Sequence, residues 1–353
     1  MIDGLLYAFA VYIAANYLIM LVSSIVYRPR LKDTGTPRVS VIIPAKDEET
    51  VIERTLKNLQ KSYSNLEIII VDSSKDGATK QICRKYGASI IMDRAGKGKA
   101  SALNMAVNKA KGKFLYFIDA DCRVSKSTIK NLLSSIGDSD ASVGIVIAEG
   151  RTAMSILGRL ETLFLNATNY WVSTVLGTAF VVGRNYIIKR NVLIEVGKFD
   201  NVLSEDINLS YKLYKAKKKV VFNPWALCVE ESPKRLNHFF KQQERWGAGS
   251  FHEINKSLRT NPVLSATLFF IALFYVFTPA FLLLAIVNPV FLIPGIAGLS
   301  TVLLLSARHL RKTEIIAVLP ALTLAMIIFI GVFISILIKK ALGRRIGWYK
   351  TPR

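Results

Sequence analysis

The sequence predicts an α/β domain built on a mostly parallel, doubly wound sheet and flanked by membrane helices. Three observations carry that expectation. Short β-branched runs alternate with helical periodicity between residues 38 and about 232. These runs are apolar throughout rather than alternating, as strands covered on both faces are. Apolar stretches long enough to cross a bilayer stand at both ends of the chain.

Residues 5–27 carry no charge and are followed at once by Arg28, Arg30 and Lys32, which puts residue 33 on the cytoplasmic side and residue 1 outside. The start Met1-Ile2-Asp3-Gly4 lacks the basic leader of a signal peptide, and the apolar run is too long for one. An anchor that is retained is therefore expected over 1–33.

The α/β domain is expected over 34–232. Val39-Ser40-Val41-Ile42-Ile43 reads as the first strand, ending at Pro44, and Ile52, Leu56 and Leu59 recur on one face of the helix after Asp47-Glu48-Glu49. Glu67 to Asp72 reads as the second strand and Ala88 to Met92 as the third. A helix from about 98 to 110 leads into a fourth, Phe114 to Asp119.

Residues 233–260 read as an amphipathic interface helix, with Leu236, Phe239 and Phe240 preceding Gln242-Gln243-Glu244-Arg245-Trp246. On a helix Gln242, Arg245 and Trp246 project to one side, as they would on any interfacial helix. A cation, an indole face and amides this close together also suit the grip of a diphosphate and a sugar ring.

Within 261–338 lie three apolar segments, 263–287, 289–306 and 315–338, interrupted by Pro289, Pro294 and Pro320. Arg308, Arg311 and Lys312 lie between them. Lys339, Lys340, Arg344, Arg345, Lys350 and Arg353 follow in a basic tail over 339–353, so charge places both stretches in the cytoplasm. Three full crossings cannot do that. One segment is re-entrant, interfacial or differently bounded, or the charge rule fails once. The expectation is a multi-pass integral membrane protein with a cytoplasmic α/β domain, in the cell membrane if the source is prokaryotic.

Hydrophobic residues make up 51% of the 353-residue chain and the formal net charge is +22. The bases crowd segments facing the cytoplasmic leaflet, so anionic membrane lipid, and no nucleic acid, is the expected partner. Cys83, Cys122 and Cys228 have neither zinc spacing nor an even framework, and His238, His252 and His309 show no ligand spacing.

In doubly wound sheets ligands bind outside the carboxyl ends of the strands, and carboxylates stand at those ends here. Asp47 follows the first strand, Asp72 closes the second, and Asp119 and Asp121 close the fourth. Each taken alone reads equally as an Asx turn or a helix cap. Asp119-Ala120-Asp121 places two carboxylates together at the rim, where Mg²⁺ or Mn²⁺ can be shared with a diphosphate. Gly96-Lys97-Gly98-Lys99 opens a helix with an anion-friendly terminus, though without Walker spacing. Lys109, Lys111 and Lys113 read as a solvated helix face. Ser204-Glu205-Asp206 reads either as a capped helix start or as a general base, Asp206, with Glu205 orienting it.

Taken together, these motifs resemble the inverting family 2 nucleotide-sugar glycosyltransferases with a GT-A, Rossmann-like catalytic domain. The likeness covers about 38–250 and rests on Pro44 to Glu48, Val71 to Gly77, Gly98 to Asn104, Asp119-Ala120-Asp121, Ser204-Glu205-Asp206 and Gln242 to Trp246. It is closest to the membrane-embedded branch of hyaluronan, cellulose, chitin and poly-N-acetylglucosamine synthases. The resemblance implies that Asp47 and Asp72 contact the nucleoside, Lys97 or Lys99 the nucleotide, and Asp121 with Asp119 the metal and ribose. It makes Asp206 the base and has Gln242, Arg245 and Trp246 hold the diphosphate and the acceptor end. Trp348, Thr351 and Arg353 look like that branch's gating segment.

Implied partners are a nucleotide-sugar donor, expected to be a UDP-sugar, and a carbohydrate or lipid acceptor. Ser204 stands where the family often has threonine, and Asp47-Glu48 where many members have Asn-Glu, so base recognition is expected to differ.

Processive polysaccharide synthesis is the first reading. Transfer of one sugar to a polyprenyl phosphate or glycolipid is its rival, with the amphipathic stretch 151–171 (Met154, Leu157, Leu160, Phe164, Trp171) seating the lipid at the surface. A rival of another class is a non-catalytic membrane protein that binds nucleotide sugar or anionic lipid.

Overall fold

Strands without a polar face need cover on both sides, and the first half of the sheet provides it. The computed structural model describes residues 2–74, 78–96, 98–150, 152–258, 277–307, 312–344 and 346–347. The chain forms two compact units. An α/β unit comprises 28–147 and 176–231, and a helical unit comprises 1–27, 148–175 and 232–353.

In the α/β unit, β1 (Val39–Ala45), β2 (Leu66–Asp72), β3 (Ser89–Met92) and β4 (Phe114–Phe117) run parallel in the order β3-β2-β1-β4, with Val39 opposite both Leu66 and Phe114. The crossovers are α2 (Ile52–Ser62), α3 (Ala78–Lys85) and α4 (Lys99–Lys109). Ile52, Leu56 and Leu59, the predicted face of α2, are buried in one core with Val39, Val41 and Ile43. Removing a side chain of that size from water is worth about 1.5–3 kcal/mol each.

Beyond β4 the sheet departs from a purely parallel pattern. The chain adds β5 (Arg123–Val124), α5 (Thr128–Ile136), β6 (Ala141–Glu149), and, after a long helix α6, β7 (Tyr186–Lys189), α7 (Arg190–Glu195), α8 (Glu205–Lys215) and β8 (Val220–Glu231). Among the described residues the sheet has eight strands in the order β3-β2-β1-β4-β7-β6-β8-β5, and β7 pairs antiparallel with both β4 and β6, as β5 does with β8. Gly144 in β6 is required by close packing. A Cβ there would lie 2.3 Å from both the Ala226 carbonyl oxygen and Asn185 Nδ2. Asn185 is the polar knot at this point: Nδ2 donates to the Ile145 and Ala226 carbonyls, and Oδ1 accepts from the Tyr116 hydroxyl at 2.9 Å.

The helical unit holds α1 (Ile2–Val26), α6 (Ala153–Val175), α9 (Leu236–Leu258), the described part of α10 (277–284), α11 (Leu292–Ser306) and α12 (Val318–Ala341). Among the described residues three stretches are long and apolar enough to cross a membrane: Asp3–Val26, Pro289–Ser306 and Glu314–Ala341. They correspond to three of the four expected apolar segments. Most of the fourth, 263–287, lies outside the described residues.

The Tyr17 hydroxyl meets Thr278 Oγ1 at 2.6 Å, and Gly298 of α11 admits the Tyr17 ring where a Cβ would come within 2.9 Å. The stretch expected to seat a lipid at the surface is different in the fold. It is α6, whose Leu157, Leu160 and Trp171 are buried, packed against α1 and α12. The apolar face read as interfacial is interior because other apolar helices cover it.

Candidate functional site

The carboxyl ends of β1, β2 and β3 form one edge of the site. Asp47 takes a left-handed conformation, φ 53°, just past β1, and its backbone N–H donates to Ser74 Oγ at 2.7 Å. Asp72, the last residue of β2, is fully buried. Its Oδ1 accepts from the Ser74 N–H at 2.9 Å, while its Oδ2 has no hydrogen-bond partner among the described residues. A buried carboxylate oxygen left this way costs about 1–3 kcal/mol, a cost that a ligand N–H or O–H donor would remove.

Asp93, one residue past β3, was not singled out in the sequence. It accepts from Ser73 Oγ at 3.1 Å and from the Gly96 N–H at 3.1 Å, and so shapes the loop that precedes α4. A carboxylate at the end of a parallel strand was the signal that could have found it.

The Asp119–Asp121 turn is fixed from beneath by α2. Thr55 Oγ1 reaches the carbonyls of Ala120 and Cys122 at 2.7 and 2.9 Å, and Asn58 pairs reciprocally with the Val124 backbone. Asp121 is buried. Asp119 Oδ1 lies 2.9 Å from Lys99 Nζ, and the same ammonium lies 3.1 Å from Glu205 Oε1. Burial, the largest single influence on Lys99, favours the neutral amine, but Asp119, Glu205 and Asp206 together outweigh it and hold the ammonium above the ordinary lysine value. Lys99 opens α4 directly after Gly98, whose φ of 101° suits glycine. Asn104 secures this helix by a reciprocal pair with the backbone of Phe199, at 2.8 and 3.1 Å.

Glu205 and Asp206 occupy the first turn of α8, where the helix dipole favours carboxylates. Asp206 Oδ2 accepts from the Gly183 N–H at 3.0 Å and Oδ1 from the Ile207 N–H at 2.9 Å. Two backbone donors thus fix the carboxylate plane and leave lone pairs for a hydroxyl. Burial pushes the Glu205 carboxyl up; Lys99 opposes the shift and Asp206 adds to it. Tyr186 stacks on Phe117 at 4.8 Å, and burial with the nearby charges of Glu205, Asp206 and Asp119 keeps its phenol neutral.

The structure therefore brings Asp47, Asp72, Lys99, Asp119, Asp121, Glu205 and Asp206 into one compact unit. Gln242, Arg245 and Trp246 belong to the helical unit, on α9. There the Arg245 guanidinium sits 5.9 Å from the centre of the Trp246 ring and Gln242 is buried. Gln243 donates to Glu161 of α6 at 2.9 Å, and Glu244 accepts from Lys339 Nζ and Ser335 Oγ of α12, both at 2.5 Å. Lys97, Trp348, Thr351 and Arg353 lie outside the described residues.

Among the described residues no group of three or more His, Cys, Asp or Glu side chains forms an all-protein metal cage. The two carboxylates of the Asp119–Asp121 turn still fit Mg²⁺ or Mn²⁺, which bind through one or two carboxylates and complete their shell with phosphate oxygens and water.

Residues 40–197 match the family model described as Glycosyl transferase family 2. Among curated proteins the chain is similar to the probable glycosyltransferase YdaM of Bacillus subtilis (strain 168), 29% identical over 276 residues, which are 72% of this chain and 65% of that protein. It is also similar to the poly-β-1,6-N-acetyl-D-glucosamine synthase of Staphylococcus aureus (strain COL), 26% identical over 228 residues, 61% of this chain and 55% of that one. The chain thus spans 65% and 55% of the length of these curated relatives.

Among solved structures, the mannosyltransferase PcManGT from Pyrobaculum calidifontis, in complex with GDP-Man and Mn²⁺, superposes with a TM-score of 0.61 at 21% identity, covering 96% of this chain and 100% of that one. That likeness is one of fold. The parallel half-sheet with carboxylates at its strand ends agrees with both comparisons: the domain over residues 40–197 has the GT-A fold and is a member of glycosyl transferase family 2.

Proposed function

We propose that the chain is a membrane-bound inverting glycosyltransferase that moves a sugar from a nucleotide-diphosphate donor to a hydroxyl acceptor presented at the membrane. The observation that carries this reading is the juxtaposition, through Lys99, of the Asp119–Asp121 turn with Glu205 and Asp206. Inversion needs a leaving group on one side of the anomeric carbon and a base for the incoming hydroxyl on the other.

Asp206, held by two backbone N–H groups, accepts the proton of the acceptor hydroxyl as its oxygen attacks the anomeric carbon and the bond to the nucleoside diphosphate breaks. Asp121 and Asp119 would hold a divalent cation, which would supply charge compensation for the departing diphosphate. Asp72, with a buried oxygen open to a donor, and Asp47 receive the nucleoside. The sequence resemblance is what assigns Gln242, Arg245 and Trp246 to the diphosphate and the acceptor end. The roles toward the nucleotide of Trp348, Thr351, Arg353 and Lys97, which lie outside the described residues, rest on the sequence resemblance alone.

The catalytic domain faces the cytoplasm by the charge of the segments that flank it. The acceptor in the first reading is the end of a growing polysaccharide. A lipid acceptor is the second, favoured by a small apolar cleft in the helical unit, lined by Tyr17, Met20, Leu160, Phe164, Val302 and Leu305.

The experiment is to offer the purified chain, in lipid, UDP- and GDP-sugars with Mg²⁺ or Mn²⁺, and to measure nucleotide release and product size. A ladder or high polymer supports the first reading and a single glycolipid the second. Nucleotide binding without release from any donor would sink both and leave a binding protein.

A further inference from the structure

The Lys99 ammonium ion-pairs with two carboxylates, Asp119 and Glu205, and the two come from opposite sides of the proposed site. Asp119 follows β4 on the donor side. Glu205 opens α8 and adjoins Asp206. Glu205 is 6% exposed and Lys99 sits beside it at 3.1 Å, so the ammonium is the neighbouring positive charge that compensates a buried acid. Drawing Lys99 away to a diphosphate would leave Glu205 buried without that compensation, an arrangement far more costly than an intact pair.

Lys99 is also placed to transmit position rather than to move. It is the first residue of α4, and that helix is tied through Asn104 to the Phe199 backbone, six residues before α8. Lys212, from the last turn of α8, returns to the same loop through the carbonyls of Gly197 and Lys198 and through Asp200. The first part of the loop between α7 and α8, residues 197–200, is therefore held by both α4 and α8, and the Lys99–Glu205 pair adds a tie where the loop enters α8.

We propose that Lys99 is a positioning residue that acts through Glu205, clamping the start of α8 to the Asp119 turn so that Asp206 faces the site of attack. The proposal rests on the reading of Asp206 as the base and departs from a direct grip of Lys99 on the nucleotide. A grip on the diphosphate would act in donor binding. A clamp on α8 acts in the transfer step, and only while Glu205 is charged.

The test is a double-substitution cycle on the full chain in lipid, with Lys99→Met, Glu205→Gln and the pair combined. Transfer is followed with the nucleotide sugar that the wild-type chain turns over, and binding of UDP and GDP with Mn²⁺ is measured by calorimetry. Lys99→Met is expected to lower kcat about a hundredfold, with donor KM and nucleotide affinity within about twofold of wild type. In the Glu205→Gln background the same substitution is expected to have little further effect, so the double variant matches Glu205→Gln alone.

Multiplying losses in the double variant, with donor KM and nucleotide affinity weakened wherever Lys99 is absent, would overturn the clamp and restore the direct grip. If Lys99→Met does not fold but the double variant does, the uncompensated Glu205 is the defect and the proposal stands. If neither folds, Lys99 is a residue of the core and the proposal fails. Asp206→Asn, assayed alongside, separates this outcome from failure of the base assignment itself, because retained transfer there removes the base whatever Lys99 does.

Discussion

The backbone N–H of Gly183 donates to Asp206 Oδ2 at 3.0 Å, and a Cβ at position 183 would lie 3.0 Å from that same oxygen. The φ of Gly183 is not in the left-handed region, so alanine fits the backbone and acts only as a wedge on the carboxylate. Gly183→Ala is expected to displace Asp206 by a few tenths of an ångström and to lower kcat about tenfold while UDP or GDP affinity stays at the wild-type value. Steady-state kinetics beside calorimetry checks this. An unchanged kcat would show that the position of Asp206 tolerates the shift.

Asp206→Asn keeps the shape of the side chain and removes its ability to accept a proton. Nucleotide binding is expected to remain, and transfer to fall by about 10²- to 10⁴-fold. Product formation from the active donor, measured against nucleotide affinity in the same preparation, decides the point. Substantial residual transfer assigns the base elsewhere.

Divalent-metal removal is expected to abolish donor turnover and to be reversed by added Mg²⁺ or Mn²⁺. Asp121→Asn is expected to weaken Mn²⁺ binding in the presence of nucleoside diphosphate, followed by the Mn²⁺ paramagnetic resonance signal, with thermal stability retained. Full turnover in chelator would remove the metal role from both aspartates of the turn.

Glu67 connects β2 to the edge of β1 and supplies a pH dependence. Burial alone would push its carboxyl up, but the Ser40 hydroxyl, the Lys111 N–H, the Arg38 guanidinium and the Gly112 N–H together hold it below the ordinary glutamate value. A carboxyl depressed by folding contributes stability that is present above its unfolded value, about 4.3, and is lost as pH falls through its folded value. The melting temperature of Glu67→Gln is therefore expected to lie below wild type near neutrality, with the difference closing as the pH is lowered through the acid range. A difference that stays constant with pH would show that the network does not depend on the charge.

Much of the α/β unit is legible in the sequence because its signals are local. β1 to β4 are continuous apolar runs, α2 carries Ile52, Leu56 and Leu59 at helical spacing, and Asp72, Asp119 and Asp121 stand at strand ends. The antiparallel half is harder to read. β5 has two residues, β7 has four, and β8 contains Pro224, which argues against a strand in sequence.

The supports of the site are not legible because they join distant residues. Thr55 holds the carbonyls of Ala120 and Cys122, and Gly183 meets Asp206 across a sequence separation of 23. Neither belongs to a local pattern. Lys99 was readable as a cation at a helix start, whereas its two carboxylate partners follow only from the way β4 and α8 come together.

The chain leaves the α/β unit at residue 148 and returns to it at 176, with α6 in between. Cleavage on either side of that unit, near 28–33 and near 232–235, would therefore not release a free-standing soluble piece. The fragment would keep α6 and lose α1 and α12, uncovering the apolar face of α6 that packs against them. An apolar face of that kind drives self-association in water, so preparations of the α/β portion on its own should precipitate or require detergent even after the terminal apolar helices have been removed.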